Sequence, residues 1–160
     1  MESREFKPFG SVSALTLGGG GIGNVWGETS KEESIASVHL ALESGIDHLD
    51  VAPMYGKWEA ERVVGEAIKE RSRDSFRLTT KCALGSLPDE EVYDRFNTSL
   101  IRSLDTMGTD YVDLFLLHSQ LVENDHESQK PDSSFVATGN LTTLKLSLIH
   151  ISEPTRLAGI

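Results

Sequence analysis

The 160 residues carry 38% apolar and 25% charged side chains, which is enough apolar material for a globular core and excludes a disordered chain. A formal net charge of −10 argues against nucleic acid or an anionic membrane as partner, and no apolar run reaches the roughly 18 residues of a transmembrane helix. Cys82 is the one cysteine, so no internal disulfide can form; with the polar opening MESREFKPFG unlike a signal peptide, a single cytoplasmic domain is expected.

Along the chain, apolar runs and amphipathic stretches alternate. Residues 12–18 (VSALTLG) read as a short strand running into the glycines at 19, 20, 21 and 23. Ser30 and Glu33 form a capping-box pattern at the head of a helix whose face carries Ile35, Val38, Ala41 and Leu42, with a stop at Gly45. A second strand is expected over 46–51. A second helix follows over 57–71, with Ala60, Val63, Val64, Ala67 and Ile68 in helical register. Residues 76–81 form a third strand. Pro88 opens a third helix (Val92, Phe96, Leu100, Leu104, Met107), which Gly108 ends. Residues 111–117 (YVDLFLL) form a fourth strand, apolar enough to be covered on both faces.

Strand and helix repeating in this order require parallel strands joined by crossover helices, hence an α/β fold. Two architectures satisfy the pattern, an open doubly wound sheet and a (β/α)8 barrel. Gly18, Gly20 and Gly23 satisfy the dinucleotide pattern G-x-G-x-x-G, with Asp50 as a ribose-binding acid. That mechanism needs the third glycine to open a helix facing the pyrophosphate. Here residues 24–29 separate the glycines from the helix capped at Ser30, so the barrel is preferred.

In a barrel, catalytic groups gather at the C-terminal ends of successive strands. The second strand ends at Asp50, the third at Lys81 and the fourth at His118, with Tyr55 in the loop after the second. Each alone has an ordinary structural role. Acid, phenol, amine and imidazole at consecutive strand ends form a set that can handle a proton. A phenol beside an ammonium can give up its proton, a carboxylate keeps that ammonium charged and aimed, and an imidazole can orient a carbonyl. No side chain is an obvious nucleophile, since Cys82 has no adjacent base, so the group attacking the carbonyl carbon is expected to be a cofactor hydride.

The segments GIDHLDVAPMYG, TTK (Thr79–Lys81) and SLIRSLDTMGTDYVDLFLLH resemble the aldo-keto reductase superfamily, from about Phe6 to Leu121. The resemblance implies a (β/α)8 TIM barrel, of which the first four βα units are present, reducing small aldehydes and ketones with NADP(H). It implies a tetrad of Asp50, Tyr55, Lys81 and His118, with Tyr55 as proton donor, Lys81 and Asp50 acting on it, and His118 orienting the carbonyl. By the same resemblance, residues 18–26 form the loop near the nicotinamide. Gly20 and Gly21 are then cofactor-binding, and Trp26 lines the substrate pocket. Residues 4–6 and 11–14 match the hairpin that closes the barrel floor. A non-catalytic binding member of the same fold is the alternative, which the intact tetrad disfavours.

Residues 122–140 read as a long polar loop. Glu123, Asp125, His126 and Glu127 lack a second histidine at helical spacing, so no metal site is expected. A barrel of this type needs about 250 residues, and strands are legible only as far as the fourth. Residues 146–156 (LSLIHISEPTR) have the sequence that one frame of a transposase-library adapter would encode. The expected division is therefore 1–145, the N-terminal half of a reductase domain, and 146–160, a non-native tail. Such a fragment is expected to be inactive, because the family's phosphate-binding loops lie in the other half.

Overall fold

The computed structural model describes residues 1–7, 9–84 and 87–118. Residues 122–140, including Glu123, Asp125, His126 and Glu127, and the tail at 146–160 lie outside the described residues.

Four parallel strands lie side by side in chain order: β3 (Leu17–Gly18), β4 (His48–Asp50), β5 (Arg77–Cys82) and β6 (Leu114–Leu117). Their connections are α1 (Lys31–Glu43), α2 (Glu59–Ile68) and α3 (Asp89–Met107). A doubly wound sheet reverses its strand order at a switch point, and this one does not. Sequential order is that of a barrel wall.

Ahead of the wall, β1 (Ser3–Phe6) and β2 (Gly10–Ser13) form an antiparallel hairpin. The single strand expected over 12–18 is therefore two. Ser13 ends the hairpin because its N–H donates to the Asp47 carboxylate at 2.8 Å and its hydroxyl accepts from Asp47 N–H at 3.0 Å. Arg77 closes the same corner, with one guanidinium nitrogen on Asp47 (3.0 Å) and another on the Phe9 carbonyl (3.0 Å). These ties hold the hairpin at the N-terminal end of the wall, opposite the strand ends that carry Asp50 and His118.

Side chains alternate across a strand, so each strand has one face toward the helices and one toward the barrel axis. Leu49, Val51, Leu78, Thr80, Cys82 and Phe115 are buried on the helix side. There they meet Val63, Val64 and Ala67 of α2 and Val92, Phe96 and Leu100 of α3, with the Phe96 and Phe115 rings at 4.7 Å. At Gly65 a methyl group would stand 2.8 Å from the Met107 Cα, so a glycine lets α2 approach the end of α3. His48, Asp50, Thr79, Lys81, Leu114 and Leu116 take the other face.

The second helix and the fourth strand begin later than expected. The second helix begins at Glu59 rather than Lys57, because Lys57 and Trp58 adopt left-handed backbone (φ 53° and 70°) as the loop turns into α2. The fourth strand begins at Leu114, because the Asp113 carboxylate accepts the Leu78 N–H and is held by Arg73. Nor is that strand covered on both faces: Phe115 is buried, whereas Leu114, Leu116 and Leu117 are half-buried. The capping box of Ser30 and Glu33 forms as expected, and α3 stops at Gly108 in left-handed backbone (φ 65°).

Candidate active site

Asp50, Lys81 and His118 step diagonally across the wall. Asp50 pairs with Thr79, two residues before Lys81, and Lys81 pairs with Leu116, two residues before His118. That stagger accompanies the tilt of barrel strands and brings the three side chains to one rim. The His118 N–H continues the ladder by donating to the Cys82 carbonyl at 2.8 Å.

Tyr55 reaches the same rim from a folded loop. Its N–H donates to the Ala52 carbonyl (3.0 Å), Trp58 N–H to the Pro53 carbonyl (2.8 Å), and Ala60 N–H to the Tyr55 carbonyl (3.2 Å). The glycine-rich stretch packs backbone to backbone on this loop. Gly19 N–H donates to the Asp50 carbonyl at 2.8 Å. A methyl group on Gly23 would stand 2.8 Å from the Tyr55 carbonyl oxygen, and one on Gly56 only 1.9 Å from the Gly23 carbonyl oxygen. Glycine is required at 23 and 56 because nothing larger lets the two loops meet.

At the centre lies Lys81, 8% exposed. Its ammonium forms a short ion pair with the Asp50 carboxylate and donates to the Val51 carbonyl at 2.9 Å. It also donates to the Tyr55 hydroxyl oxygen at 3.4 Å, with the Tyr55 ring centre 4.8 Å away. The His118 ring stands edge-on to that of Tyr55, centres 5.7 Å apart. Burial, and then the Lys81 charge, hold the His118 imidazole below its ordinary pKa, against the pull of Asp50, so the neutral ring is favoured. Cys82, beside Lys81 in sequence, is buried on the helix side, and burial pushes its thiol up, away from nucleophilic thiolate.

The four residues expected to act together thus share one rim. The three expected at the cofactor and substrate are placed differently. Trp26 is 82% exposed, and its ring lies over Gly20, where a methyl group would meet it at 2.6 Å. Gly21 has no atom within 4 Å of such a group.

Two polar groups near the site were not foreseen. His48, one inward position below Asp50, shares a hydrogen bond with Thr79 (2.7 Å) and lies 3.4 Å from the Thr16 hydroxyl; burial lowers its pKa. Glu61 on α2 is fully buried behind the wall and accepts the Thr80 hydroxyl at 2.6 Å. The Ser103 hydroxyl lies beside its carboxyl, outside hydrogen-bond geometry. Burial pushes the Glu61 carboxyl above the usual range, against the opposing hydroxyls and the charges of Arg102 and Arg62. The sequence held a signal for it, since Glu61, Val64 and Ile68 lie on one helical stripe, and an acid within an apolar stripe needs a partner.

A wall of parallel strands in sequential order, with acid, phenol, ammonium and imidazole at its C-terminal rim, is the arrangement of a (β/α)-barrel site. Residues 14–145 match the aldo/keto reductase family, and the chain belongs to it. It is 38% identical over 114 residues to the aldo-keto reductase YhdN of Bacillus subtilis, covering 67% of this chain and 34% of that protein. To the 6-dehydroglucose reductase of Agrobacterium fabrum it is 32% identical over 134 residues, covering 75% and 45%. Among solved structures, a thermostable aldo-keto reductase bound to the inhibitor epalrestat superposes with a TM-score of 0.65 at 31% identity, covering 78% of this chain and 45% of that one. An aldo-keto reductase of Klebsiella pneumoniae crystallised with NADPH gives 0.63 at 26%, covering 83% and 43%. The chain spans less than half the length of each of these relatives.

Proposed function

We propose that this chain carries the proton-donating half of an NADP(H)-dependent carbonyl reductase. Residues 1–145 would be the N-terminal half of the barrel, and 146–160 a segment outside it. The observation that carries the reading is the contact of Lys81 with Asp50 and Tyr55 at one strand-end rim, with His118 edge-on to the phenol. The end of the family match at residue 145, where the adapter-like run begins, supports the division.

Reduction of a carbonyl needs a hydride at carbon and a proton at oxygen. NADP(H), when bound, supplies the hydride. The donor set fits such a partner, because the described residues offer a phenol and a neutral imidazole at the rim, and the nearby thiol is buried away from it. Gly20 and Gly21, on the loop that packs on Tyr55, would help hold NADP(H), and Trp26 would stand at the edge of the substrate space.

The chain's own residues then act in order. His118, favoured as the neutral ring, donates a hydrogen bond to the carbonyl oxygen and fixes its approach. Tyr55 gives its proton to that oxygen as charge develops there. The phenolate left behind is stabilised by the Lys81 ammonium, which Asp50 and the Val51 carbonyl hold in place. A positioned acid of this kind contributes about 10²–10⁴ in rate.

The test is a transfer experiment on the full-length gene product, using NADPH deuterated at the nicotinamide C4 and a panel of small aldehydes and ketones. Deuterium appearing on the carbinol carbon of the product alcohol is the expected result. NADPH oxidation without labelled alcohol would sink the reading.

A further inference from the structure

The two residues central to the proposed chemistry sit on different elements, Tyr55 on the loop entering α2 and Lys81 on β5. Their direct contact, 3.4 Å between Nζ and the hydroxyl oxygen, is long for a hydrogen bond and cannot alone hold both elements in register. A second connection runs behind the wall. The Tyr55 carbonyl accepts the Ala60 N–H at 3.2 Å. Ala60 is followed by Glu61, whose carboxyl accepts the Thr80 hydroxyl at 2.6 Å, and Thr80 is followed by Lys81. The path Tyr55–Ala60–Glu61–Thr80–Lys81–Tyr55 is closed, and its shortest side-chain bond is the one no solvent reaches. Glu61 and Thr80 are both wholly buried.

We propose that Glu61 is a positioning residue for the Tyr55–Lys81 pair, its bond to Thr80 acting as the rear strut that fixes how far the phenol stands from the ammonium. The inference rests on the reading of that pair as the proton-transfer unit. Packing alone does not explain a carboxyl here, since a leucine would fill the space between α2, α3 and β5 without having to satisfy a buried oxygen. A strut must be directional, and a hydrogen bond from a strand hydroxyl to a helix carboxyl is. Glutamine, which keeps an amide oxygen at the same reach, should preserve it.

Two experiments divide the outcomes. The first labels lysines of the 160-residue chain with a succinimidyl ester and compares Lys81 with the exposed Lys57 and Lys69 by mass spectrometry. In the parent, Lys81 is expected to label far more slowly than either. Glu61→Leu, and independently Thr80→Val, should speed Lys81 labelling at least fivefold, while Glu61→Gln and the core control Val64→Ala stay within twofold of the parent. Lys81 equally protected in Glu61→Leu and Thr80→Val, equally exposed by Val64→Ala, or labelled in the parent as fast as Lys57, overturns the strut. The second uses the full-length gene product. There Glu61→Leu should lower kcat about tenfold with KM within twofold, and Glu61→Gln should restore it; the same kcat loss in Val64→Ala overturns the positioning role. A full-length parent with no turnover refutes the reductase reading, while the labelling still decides the strut.

Discussion

Gly23→Ala makes the dependence of the site on the glycine loop measurable. The added methyl would stand 2.8 Å from the Tyr55 carbonyl oxygen, 2.9 Å from its carbonyl carbon and 3.1 Å from the Ala60 Cβ. Two of the three are backbone atoms, which cannot swing aside as a side chain would. Reaching ordinary contact at about 3.4 Å requires the loops to part by about 0.6 Å. The strain of such overpacking is about 1–3 kcal/mol. Alanine also restricts the unfolded chain, which returns about 0.4–1 kcal/mol. Strain wins, and the net loss should be about 1–2 kcal/mol, read as a lower urea midpoint. Gly21→Ala meets no atom within 4 Å, so it should keep only the unfolded-chain gain and raise the midpoint slightly. At the site, the same retreat would carry the Tyr55–Lys81 contact from 3.4 Å to about 4 Å, beyond hydrogen-bond range. A displacement of 1 Å can cost about a hundredfold in rate, so roughly tenfold is expected in kcat of the full-length product. Parent stability and parent turnover in Gly23→Ala would refute the claim that close backbone contact sets the position of Tyr55.

Lys81→Met removes the ammonium shared by Asp50, the Val51 carbonyl and Tyr55. Because the Asp50 side chain is 36% exposed and can be hydrated, the loss should be about 1–2 kcal/mol rather than the 3–5 of a fully buried pair, checked by denaturant melts. A loss above about 4 kcal/mol would show that Asp50 is sealed from water. Stability should also fall with acid in a defined window. His48 and His118 both have folded-state pKa values below the ordinary 6.5, so the unfolded chain binds the proton more readily. Their contribution is complete above about 6.5 and is lost as pH falls through that value toward the folded one. Asp47, Glu33 and Glu66 are lowered from 3.8–4.5 and act only at lower pH. Glu61 is raised from 4.5, which makes it act in the opposite sense as pH rises. In a Glu61→Gln background the urea midpoint should therefore be lower at pH 5.5 than at pH 7.5, and adding His48→Gln should shrink that drop to the His118 share; equal midpoints at the two pH values in the Glu61→Gln protein would contradict the assignment.

The parallel wall was legible because its periodicities are strong. The capping box at Ser30 and Glu33, the apolar stripe of α2 and the glycine at 108 each have a local physical cause, and each appears where the sequence places it. Less legible were features created by tertiary contact. Residues 12–18 look like one strand, and only the bonds from Ser13 to Asp47, 34 positions away, divide them. Tyr111 and Val112 have strand propensity, yet the Asp113 carboxylate takes the Leu78 N–H and delays the strand to Leu114. The four rim residues were identifiable because strand ends converge in a barrel. The roles of Gly23 and Gly56 were not, since a glycine required by a neighbouring backbone looks in sequence like any flexible one. Nor does the sequence show that Trp26 sits exposed with its ring over Gly20, a contact made by the fold of the glycine loop.

The central claim, that Tyr55 is the proton donor of a carbonyl reductase, is tested most directly by Tyr55→Phe in the full-length gene product. The assay follows carbonyl-dependent NADPH oxidation alongside NADPH binding. Phenylalanine keeps the ring that stands edge-on to His118 and removes only the hydroxyl. Turnover should fall by about 10²–10⁴ while NADPH affinity stays within threefold. Turnover within threefold of the parent would contradict the account and return Tyr55 to a packing role.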